Sequence, residues 1–187
     1  MDLNSGLFPE AVKFTLGNEG LFSDDPDDPG GPTNYGITQQ TLSQYRGQNC
    51  SVHDVRDLSA GEAVAIYYAF YWCPLSIEGV TKRATALAIF DAAILYGVRK
   101  AVWLAQRTLK DCDSVVISID PKFKVDGYMG PITIKELNRC PERIFLAQFH
   151  LHILNHINEI AARNPKLNKF RRGWITRANK ILTLTKK

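Results

Sequence analysis

Two carboxylic acids near the N-terminus could divide the work of acid–base chemistry. Glu19 lies at the expected end of a helix, beside the apolar Leu21 and Phe22, and Asp28 follows in a Pro/Gly turn. A carboxylate at that end of a helix faces the negative end of the helix dipole, and partial burial also disfavours its charged form. Both effects raise the pKa of Glu19, as a general acid requires. The pair therefore suits glycoside hydrolysis, in which one protonated and one ionised carboxyl take different roles.

Two other interpretations of this acidic loop stay open. An EF-hand counted from Asp25 fails at two ligand positions, because it has Pro29 at position 5 and Gly36 at position 12. Calcium in another geometry remains an alternative. A solvated turn explains most of the aspartates, since Asp-Pro and Pro-Gly-Gly are strong turn sequences. It does not explain Glu19, although an isolated glutamate at a helix end is more often structural than catalytic.

Several further polar residues could assist such a site. Thr33 and Asn34 follow the glycines of the loop and could orient water or substrate. Asp91 lies inside an apolar helix, where a charge is costly unless it has a partner. It could bind sugar in a cleft, or it could hold the acidic loop in place, and the second role is the commoner one.

Metal and cofactor chemistry has little support in the sequence. His152 and His156 have the spacing of two zinc ligands on one helix, but Ile153 replaces the glutamate of a zincin and no third ligand is evident. We therefore expect packed or surface histidines, no metal and no cofactor. The four cysteines, which form no CxxC pair, are expected to be free thiols.

Helices dominate the predicted elements. Capping signals predict a helix from Thr38 to about Arg46 and a capping box at Ser59 with Glu62. The only convincing hairpin signal is "SVVISIDPKFKVDGYMGP", with its β-branched residues and Asp-Gly. The helix behind the Ser59 capping box is expected to end before Pro74. The helices further along the chain are expected near residues 82–96, 101–109, 132–138, 142–164 and 170–183.

Composition limits the partners. The chain has 187 residues and a net charge of +4, which suits an anionic polymer but lacks the basic stripe of a nucleic-acid-binding protein. No signal-peptide pattern and no run of 18 apolar residues is present, so we expect neither Sec export nor stable membrane insertion. A monomer is expected.

One segment resembles a known family. "EGLFSDDPDDPGGPTNYGIT" is similar to the signature of glycoside hydrolase family 108, whose members are N-acetylmuramidases. The order of Glu, Asp and Thr also resembles phage-type lysozymes, where the last gap is one residue longer. "DVRDLSAGEAVAIYYAFYW" and "AIFDAAILYG" resemble later parts of the same catalytic domain. "LAQRTL", "VDGYMGPIT" and "FRRGWITRANKI" resemble the small peptidoglycan-binding domain that follows it.

The resemblance implies a mainly α fold. A lysozyme-like helical catalytic domain would occupy residues 1–97, and a small helical wall-binding domain with one β-hairpin would occupy 98–187. It implies hydrolysis of the β-1,4 bond between N-acetylmuramic acid and N-acetylglucosamine, for lysis or for protein or toxin release. The protein would be made in the bacterial cytoplasm and act in the periplasm or at the wall. A lytic transglycosylase and a non-enzymatic peptidoglycan-binding protein remain alternatives.

The resemblance also implies residue roles. Glu19 is expected to be the catalytic acid and Asp28 the second carboxylate. Leu21 replaces the usual second glycine of the motif. The residues expected to contact substrate are Thr33, Asn34, Tyr35, Asp91 and Tyr128.

Overall fold

A computed structural model describes residues 6–18, 22–28, 30–113 and 118–186. The first half contains a two-stranded hairpin and six helices in the described residues: α1 (Phe8–Leu16), β1 (Thr33–Asn34), β2 (Ile37–Thr38), α2 (Gln39–Arg46), α3 (Val52–Arg56), α4 (Ala60–Tyr67), α5 (Cys73–Leu75) and α6 (Arg83–Tyr96). The second half contains α7 (Val98–Asp111), α8 (Pro131–Arg139), α9 (Glu142–Arg163) and α10 (Asn168–Lys180). A π-helical turn (Tyr68–Trp72) and 3-10 turns (Ile77–Gly79, Pro165–Leu167, Ile181–Lys186) complete the described elements.

The capping signals fix the ends of α2. Thr38 is its N-cap and accepts a hydrogen bond from the Thr41 amide at 3.2 Å. Gly47 ends the helix with φ of 67°, a left-handed conformation that glycine adopts without a steric penalty. The predicted helix from Thr38 to Arg46 is confirmed.

The capping box predicted at the start of α4 is only half formed. Ser59 does cap the helix, since its hydroxyl accepts from the Glu62 amide at 3.2 Å. The Glu62 carboxylate instead binds Arg46 at 2.8 and 2.9 Å. A reciprocal box occurs at α3, between Ser51 and Asp54. An arginine from a neighbouring helix therefore replaces the local backbone partner that the sequence pattern predicts for Glu62.

The helical path beyond α4 continues further than expected. The sequence predicts an end before Pro74, but α4 passes into the π-helical turn and then into α5, which contains Pro74. Proline lacks the N–H of a regular helix and its ring clashes with a carbonyl in the preceding turn. Pro74 lies just after the π-helical turn, in which the Cys73 amide bonds to the Tyr68 carbonyl five residues back, so the regular i→i−4 pattern is already interrupted where the proline enters.

The hairpin lies in a different place from the one predicted. Among the described residues, the strands pair Thr33 with Thr38 and Asn34 with Ile37, in the first half of the chain. The prediction of a hairpin in 114–131 is wrong for residues 118–130, which form turns and irregular structure, and 114–117 lie outside the described residues. Backbone amides that would pair with a neighbouring strand bind side chains instead. The Lys122 amide donates to the Asp120 carboxylate, and the Asp126 amide donates to the Gln106 side-chain oxygen.

The core is built around α6. Its residues from Ala84 to Ile94 are all buried, which is typical of a helix that is apolar on every side. Phe90 packs edge-to-face against Phe8, Tyr67 and Trp72 at centroid distances of 6.1, 6.1 and 5.4 Å. α6 contacts α1, α7 and α9, and one hydrophobic cluster extends from Phe8 to Leu184. The two halves therefore share one core, and the fold is mainly α, as expected from the sequence.

Candidate active site

The predicted catalytic acid lies outside the described residues. Glu19, Gly20 and Leu21 are not described, and neither is Pro29, so the proposed role of Glu19 and the effect of Leu21 stay predictions. The described residues on either side of this gap are Asn18 and Phe22. Their contacts define how the segment is held.

Asp91 holds the end of α1 against the last helix. It is 2% exposed, and Arg177 of α10 donates to its two oxygens at 2.9 and 2.8 Å. The Thr15 hydroxyl donates to Oδ1 at 3.1 Å, and the Asn18 amide approaches the same oxygen at 3.4 Å. A buried carboxylate is tolerated when it is paired and hydrogen-bonded in this way.

The substrate-binding assignment of Asp91 stays a prediction. In the described residues the side chain is buried and paired with Arg177. The alternative role, holding the segment that leads to the acidic loop, fits the geometry. The contacts are made by the side chains of Thr15 and Asn18 rather than by loop backbone. Arg177, which completes the pair, was missed because it lies 86 residues away in the sequence.

Lys180 makes a second contact from α10 to the same segment. Its ammonium group donates to Asn18 Oδ1 at 2.7 Å and lies 3.5 Å from the Gly17 carbonyl oxygen. Carbonyls at a helix C-terminus lack intrahelical partners, and a cation there also complements the helix dipole. The residue that immediately precedes Glu19 is therefore held by α10.

The acidic loop also binds α10. Lys169 donates to Asp25 Oδ1 at 2.6 Å and to Asp27 Oδ2 at 2.9 Å. The hydrogen bond from Lys169 lowers the pKa of Asp25 and of Asp27 below the ordinary value of 3.8. The sequence indicated only turn or surface roles for these aspartates. Their partner was missed because 144 and 142 residues separate them from it.

Asp28 occupies a fixed position in this loop. It is half-buried, and its Oδ1 accepts from the Gly30 amide at 2.8 Å, while its backbone carbonyl accepts from the Gly31 amide at 3.0 Å. A turn of this kind orients one carboxylate oxygen by backbone alone. Oδ2 has no hydrogen-bond partner in the described part of the chain.

The base of the loop is closed by backbone pairing. Ser23 and Thr33 exchange two amide–carbonyl bonds of 2.8 Å, and Thr33 also pairs with Thr38 in the hairpin. The Arg56 guanidinium lies 4.7 Å from the centroid of the Phe22 ring. The segment containing Glu19 therefore has anchored residues on both sides.

Asn34 and Tyr35 fasten the hairpin to its neighbours. Asn34 is 5% exposed, and its amide donates to the Val55 and Arg56 carbonyls at 3.1 and 3.0 Å. The Tyr35 carbonyl accepts from the Tyr67 hydroxyl at 2.5 Å. Asn34 thus positions the hairpin, and its substrate contact stays a prediction. Thr33 and Tyr35 are half-buried beside it, and their substrate contacts stay predictions.

The histidines of α9 make packing and pairing contacts. His152 Nε2 lies 2.7 Å from Asp111 Oδ2, and the His156 ring packs edge-to-face on Tyr96 at 5.0 Å. Burial lowers the pKa of His156. Within the described ranges, no group of three or more His, Cys, Asp and Glu side chains could hold a metal ion.

Tyr128 lies apart from the acidic loop in sequence and is 64% exposed. It belongs to residues 118–130, which we call the aromatic loop, and this loop lies against α7. The Arg99 guanidinium of α7 lies 5.3 Å from the centroid of the Tyr128 ring.

None of the described helices combines the length and apolar composition needed to cross a bilayer.

Comparisons with known proteins match both halves of the chain. Residues 12–97 match the family model of glycosyl hydrolase 108, and residues 100–179 match the model of a predicted peptidoglycan domain. The solved structure of Brucella abortus SagA is similar, with 25% identity and a TM-score of 0.77 over 94% of this chain and 91% of that one. No curated protein gives a significant match.

The helical fold, the small hairpin and the matched domains define a lysozyme-like glycoside hydrolase. The chain carries the catalytic domain of glycosyl hydrolase family 108, followed by a peptidoglycan-binding domain. It is a peptidoglycan hydrolase, and its place of action is the cell wall.

Proposed function

We propose that the protein cleaves the β-1,4 bond between N-acetylmuramic acid and N-acetylglucosamine, with Glu19 as the acid. The observation that carries this proposal is the anchoring of the chain around Glu19. Asn18 is bonded to Lys180 and approaches Asp91, and the loop that follows is pinned by Lys169. Catalysis needs the reacting groups held in a productive geometry, and the described residues on either side of Glu19 are held in this way.

The proposed mechanism gives the two acids different tasks. Glu19 donates its proton to the leaving glycosidic oxygen, and ionised Asp28 stabilises the positive charge that develops on the sugar or activates water. The Asx-type turn supports this role for Asp28, because it engages Oδ1 and leaves Oδ2 without a described partner. Thr33 and Tyr35 at the hairpin are proposed substrate contacts.

The division of labour along the chain is part of the proposal. We infer a catalytic unit of residues 1–97 and a wall-binding unit of 98–187, acting as a monomer in the periplasm or at the wall. The matches to residues 12–97 and 100–179 support a division near Gly97. Lysis and protein or toxin release are both roles that such an activity would serve.

Clearing of purified peptidoglycan tests the two carboxylates. We expect Glu19→Gln to lower the initial rate about 10²–10⁴-fold, because a positioned general acid that protonates the leaving group contributes a factor of this size. Asp28→Asn should lower the rate by a similar or smaller factor. Asp24→Asn is the matched control, because Asp24 is an exposed acid of the same loop. Equal clearing by wild type and Glu19→Gln would remove Glu19 as the acid.

The digestion products separate the remaining alternatives. Mass spectrometry of the digest should show reducing-end muramic acid, which hydrolysis produces. Anhydro-muramic acid would instead indicate a lytic transglycosylase. Binding to the wall without any clearing would indicate a non-enzymatic binding protein.

A further inference from the structure

The exposed face of α7 carries a repeating set of cationic and aromatic side chains. Arg99, Trp103 and Arg107 follow one another at four-residue spacing, so they lie along one side of the helix. All three are exposed. The Lys100 ammonium lies 4.7 Å and the Arg107 guanidinium 5.8 Å from the Trp103 ring centroid. Cations thus flank an exposed tryptophan on two sides.

This face extends onto the aromatic loop through Arg99. The Arg99 guanidinium stacks near the Tyr128 ring, 5.3 Å from its centroid. Arg99 also lines a cavity of about 510 Å³ together with Lys100 and Trp103. A second cavity, of about 480 Å³, is lined in part by Tyr128, Lys122 and Lys124. Arg99 therefore connects two concave sites, each of which has an aromatic ring and cations in its wall.

The aromatic loop is built to present Tyr128 in this position. Gln106 is 1% exposed, and its Oε1 accepts from the Asp126 and Gly127 amides at 2.9 and 2.8 Å. Its Nε2 donates to the Tyr128 carbonyl at 3.0 Å, to Asp126 Oδ1 at 3.1 Å and to Thr133 Oγ1 at 3.1 Å. One buried amide therefore holds the three residues of the turn.

Gly127 allows the loop to approach α7 closely. It has φ of 80°, and a Cβ at this position would lie 2.7 Å from Arg99 Cγ and 2.9 Å from the Arg99 carbonyl oxygen. Only glycine fits such an approach without movement of the backbone. Gly127 and Gln106 thus fix the distance between the aromatic loop and Arg99 of α7. Neither residue is itself a proposed ligand contact.

The charge of the surface is predominantly positive. Asp126 is the one acid among the lining residues of the two cavities, and its carboxylate is bonded to Gln106 and to the Tyr128 amide. The hydrogen bond from the Tyr128 amide lowers the pKa of Asp126, so this acid stays ionised and internally engaged. The complementary ligand carries carboxylates beside flat or apolar faces, which guanidinium groups and aromatic rings bind well.

We propose that this surface, formed by α7 and the aromatic loop, binds the carboxylate-bearing stem peptides of peptidoglycan next to the glycan strand. The inference rests on the wall-degrading function proposed above and adds the chemical group that is recognised. The match of residues 100–179 to a peptidoglycan domain favours a wall polymer over a lipid surface. The aromatic rings supply stacking on sugar or peptide faces, and the cations supply attraction for the carboxylates.

Sedimentation with purified sacculi on ice tests this surface. We expect Arg99→Gln, Trp103→Ala and Tyr128→Ala each to weaken binding about tenfold, because a desolvated cation or aromatic contact at an interface has this magnitude. Arg163→Gln is the charge control, since its side chain is 81% exposed on α9. Leu182→Ala is the apolar control, since Leu182 is 41% exposed. Neither control should change binding.

Changing the wall tests the ligand. Sacculi whose carboxylates have been converted to methylamides should bind wild type about as weakly as Arg99→Gln binds untreated sacculi. Undiminished binding to the amidated wall would overturn the proposal. So would equal losses in the controls. Tighter binding to phosphatidylglycerol vesicles than to sacculi, lost in the same three variants, would assign the surface to membrane instead.

A third measurement separates this proposal from the proposed function. Arg99→Gln and Trp103→Ala should hydrolyse short soluble glycan fragments at the wild-type rate, because those fragments reach the cleft without wall binding. Wild type that sediments with sacculi without cleaving them would contradict the proposed function and support the surface. Wild type that clears sacculi while all three variants sediment normally would overturn the surface alone.

Discussion

The acidic loop and the aromatic loop are both irregular segments that carry candidate functional residues, yet they are held by different physics. The acidic loop is held by the charged side chain of Lys169 on α10, which lies 144 and 142 residues from Asp25 and Asp27, and the segment before the loop is held by the Asp91–Arg177 pair. Within the aromatic loop, the turn from Asp126 to Tyr128 is held by one neutral amide, Gln106, about 20 residues away. In the acidic loop, ion pairs with Lys169 connect residues that are far apart in the sequence. In the aromatic loop, hydrogen bonds with the buried Gln106 hold a turn against the helix on which it packs.

The difference predicts different responses to solution conditions. Exposed ion pairs are weakened by salt and by protonation, and the Lys169 contacts are of this kind. Buried neutral hydrogen bonds are insensitive to both within the range where the fold survives. The Asp91–Arg177 pair is the exception on the acidic side, because it is buried. Each substitution below removes or disturbs one of these contacts.

Breaking the Asp91–Arg177 pair should have the largest effect on stability. Arg177→Gln leaves a buried carboxylate without its cation, which costs about 3–5 kcal/mol of unfolding free energy. Urea unfolding measures this loss. Arg171→Gln is the control, since Arg171 belongs to the same helix and is exposed. The double change Asp91→Leu with Arg177→Met should recover much of the stability, and equal losses in the single and double variants would contradict the ion-pair explanation.

Removing the amide of Gln106 should have the next largest effect. Gln106→Leu leaves the Asp126 and Gly127 amides without their buried acceptor, which costs about 2–3 kcal/mol. Thermal unfolding and sacculus sedimentation measure the two consequences. We expect wall binding to fall while hydrolysis of soluble fragments by the folded protein is unchanged. A parallel loss of both activities would show that the two loops are not held independently.

Adding one methyl group at Gly127 should produce a smaller loss. Gly127→Ala places a Cβ against the Arg99 backbone at positive φ, at a cost of about 1–3 kcal/mol. Gly130→Ala is the matched control on the same loop, because a Cβ there meets no heavy atom within 4 Å. If both variants are equally stable by urea unfolding, the close approach of the aromatic loop to α7 is not what Gly127 provides.

The Lys169 contacts should show the smallest effect and a distinctive dependence on pH. The pKa values of Asp25 and Asp27 are lowered in the folded protein, so their contribution to stability is present above 3.8 and is lost as the pH falls through the folded values. The difference in melting temperature between wild type and Lys169→Ala should therefore be small at neutral pH and vanish in acid. It should also shrink in about 1 M salt.

The rate of peptidoglycan clearing tests whether the Lys169 contacts of the acidic loop matter for catalysis. Lys169→Ala should lower the clearing rate a few-fold, and Lys169→Arg should restore it, because arginine preserves the cation. Lys166→Ala serves as a milder variant, since Lys166 lies 3.6 Å from Asp27 only. A rate that is unchanged in Lys169→Ala would separate the anchoring of the acidic loop from catalysis.

The sequence predicted local features better than distant contacts. The Thr38 cap and the positions of α6, α7 and α9 follow from periodicity and end signals over a few residues. The hairpin signal at 114–131 failed over 118–130 because side chains of Asp120 and Gln106 bind the backbone there. The periodicity of apolar residues does not reveal that side chains will compete with a strand for these backbone hydrogen bonds.

The candidate site shows the same limit. The Glu19–Asp28 spacing and the Thr-Asn-Tyr-Gly run identified the segment, and the family match covers it. The sequence could not identify Arg177, Lys180 and Lys169 as its supports, because nothing local marks a partner on the last helix. Asp91 was correctly singled out as a buried charge that needs a partner, but the partner required the fold.

The position of α10 also bears on whether the two halves can be exchanged separately. Wall-binding modules are often pictured as interchangeable attachments, but here the last helix contributes Arg177 to the interior of the catalytic half. Exchange of the second half at Gly97 would remove Arg177 and leave the Asp91 carboxylate buried in an apolar helix without its cation. The two halves are therefore coupled in stability, because the last helix supplies the cation that the buried carboxylate of α6 requires.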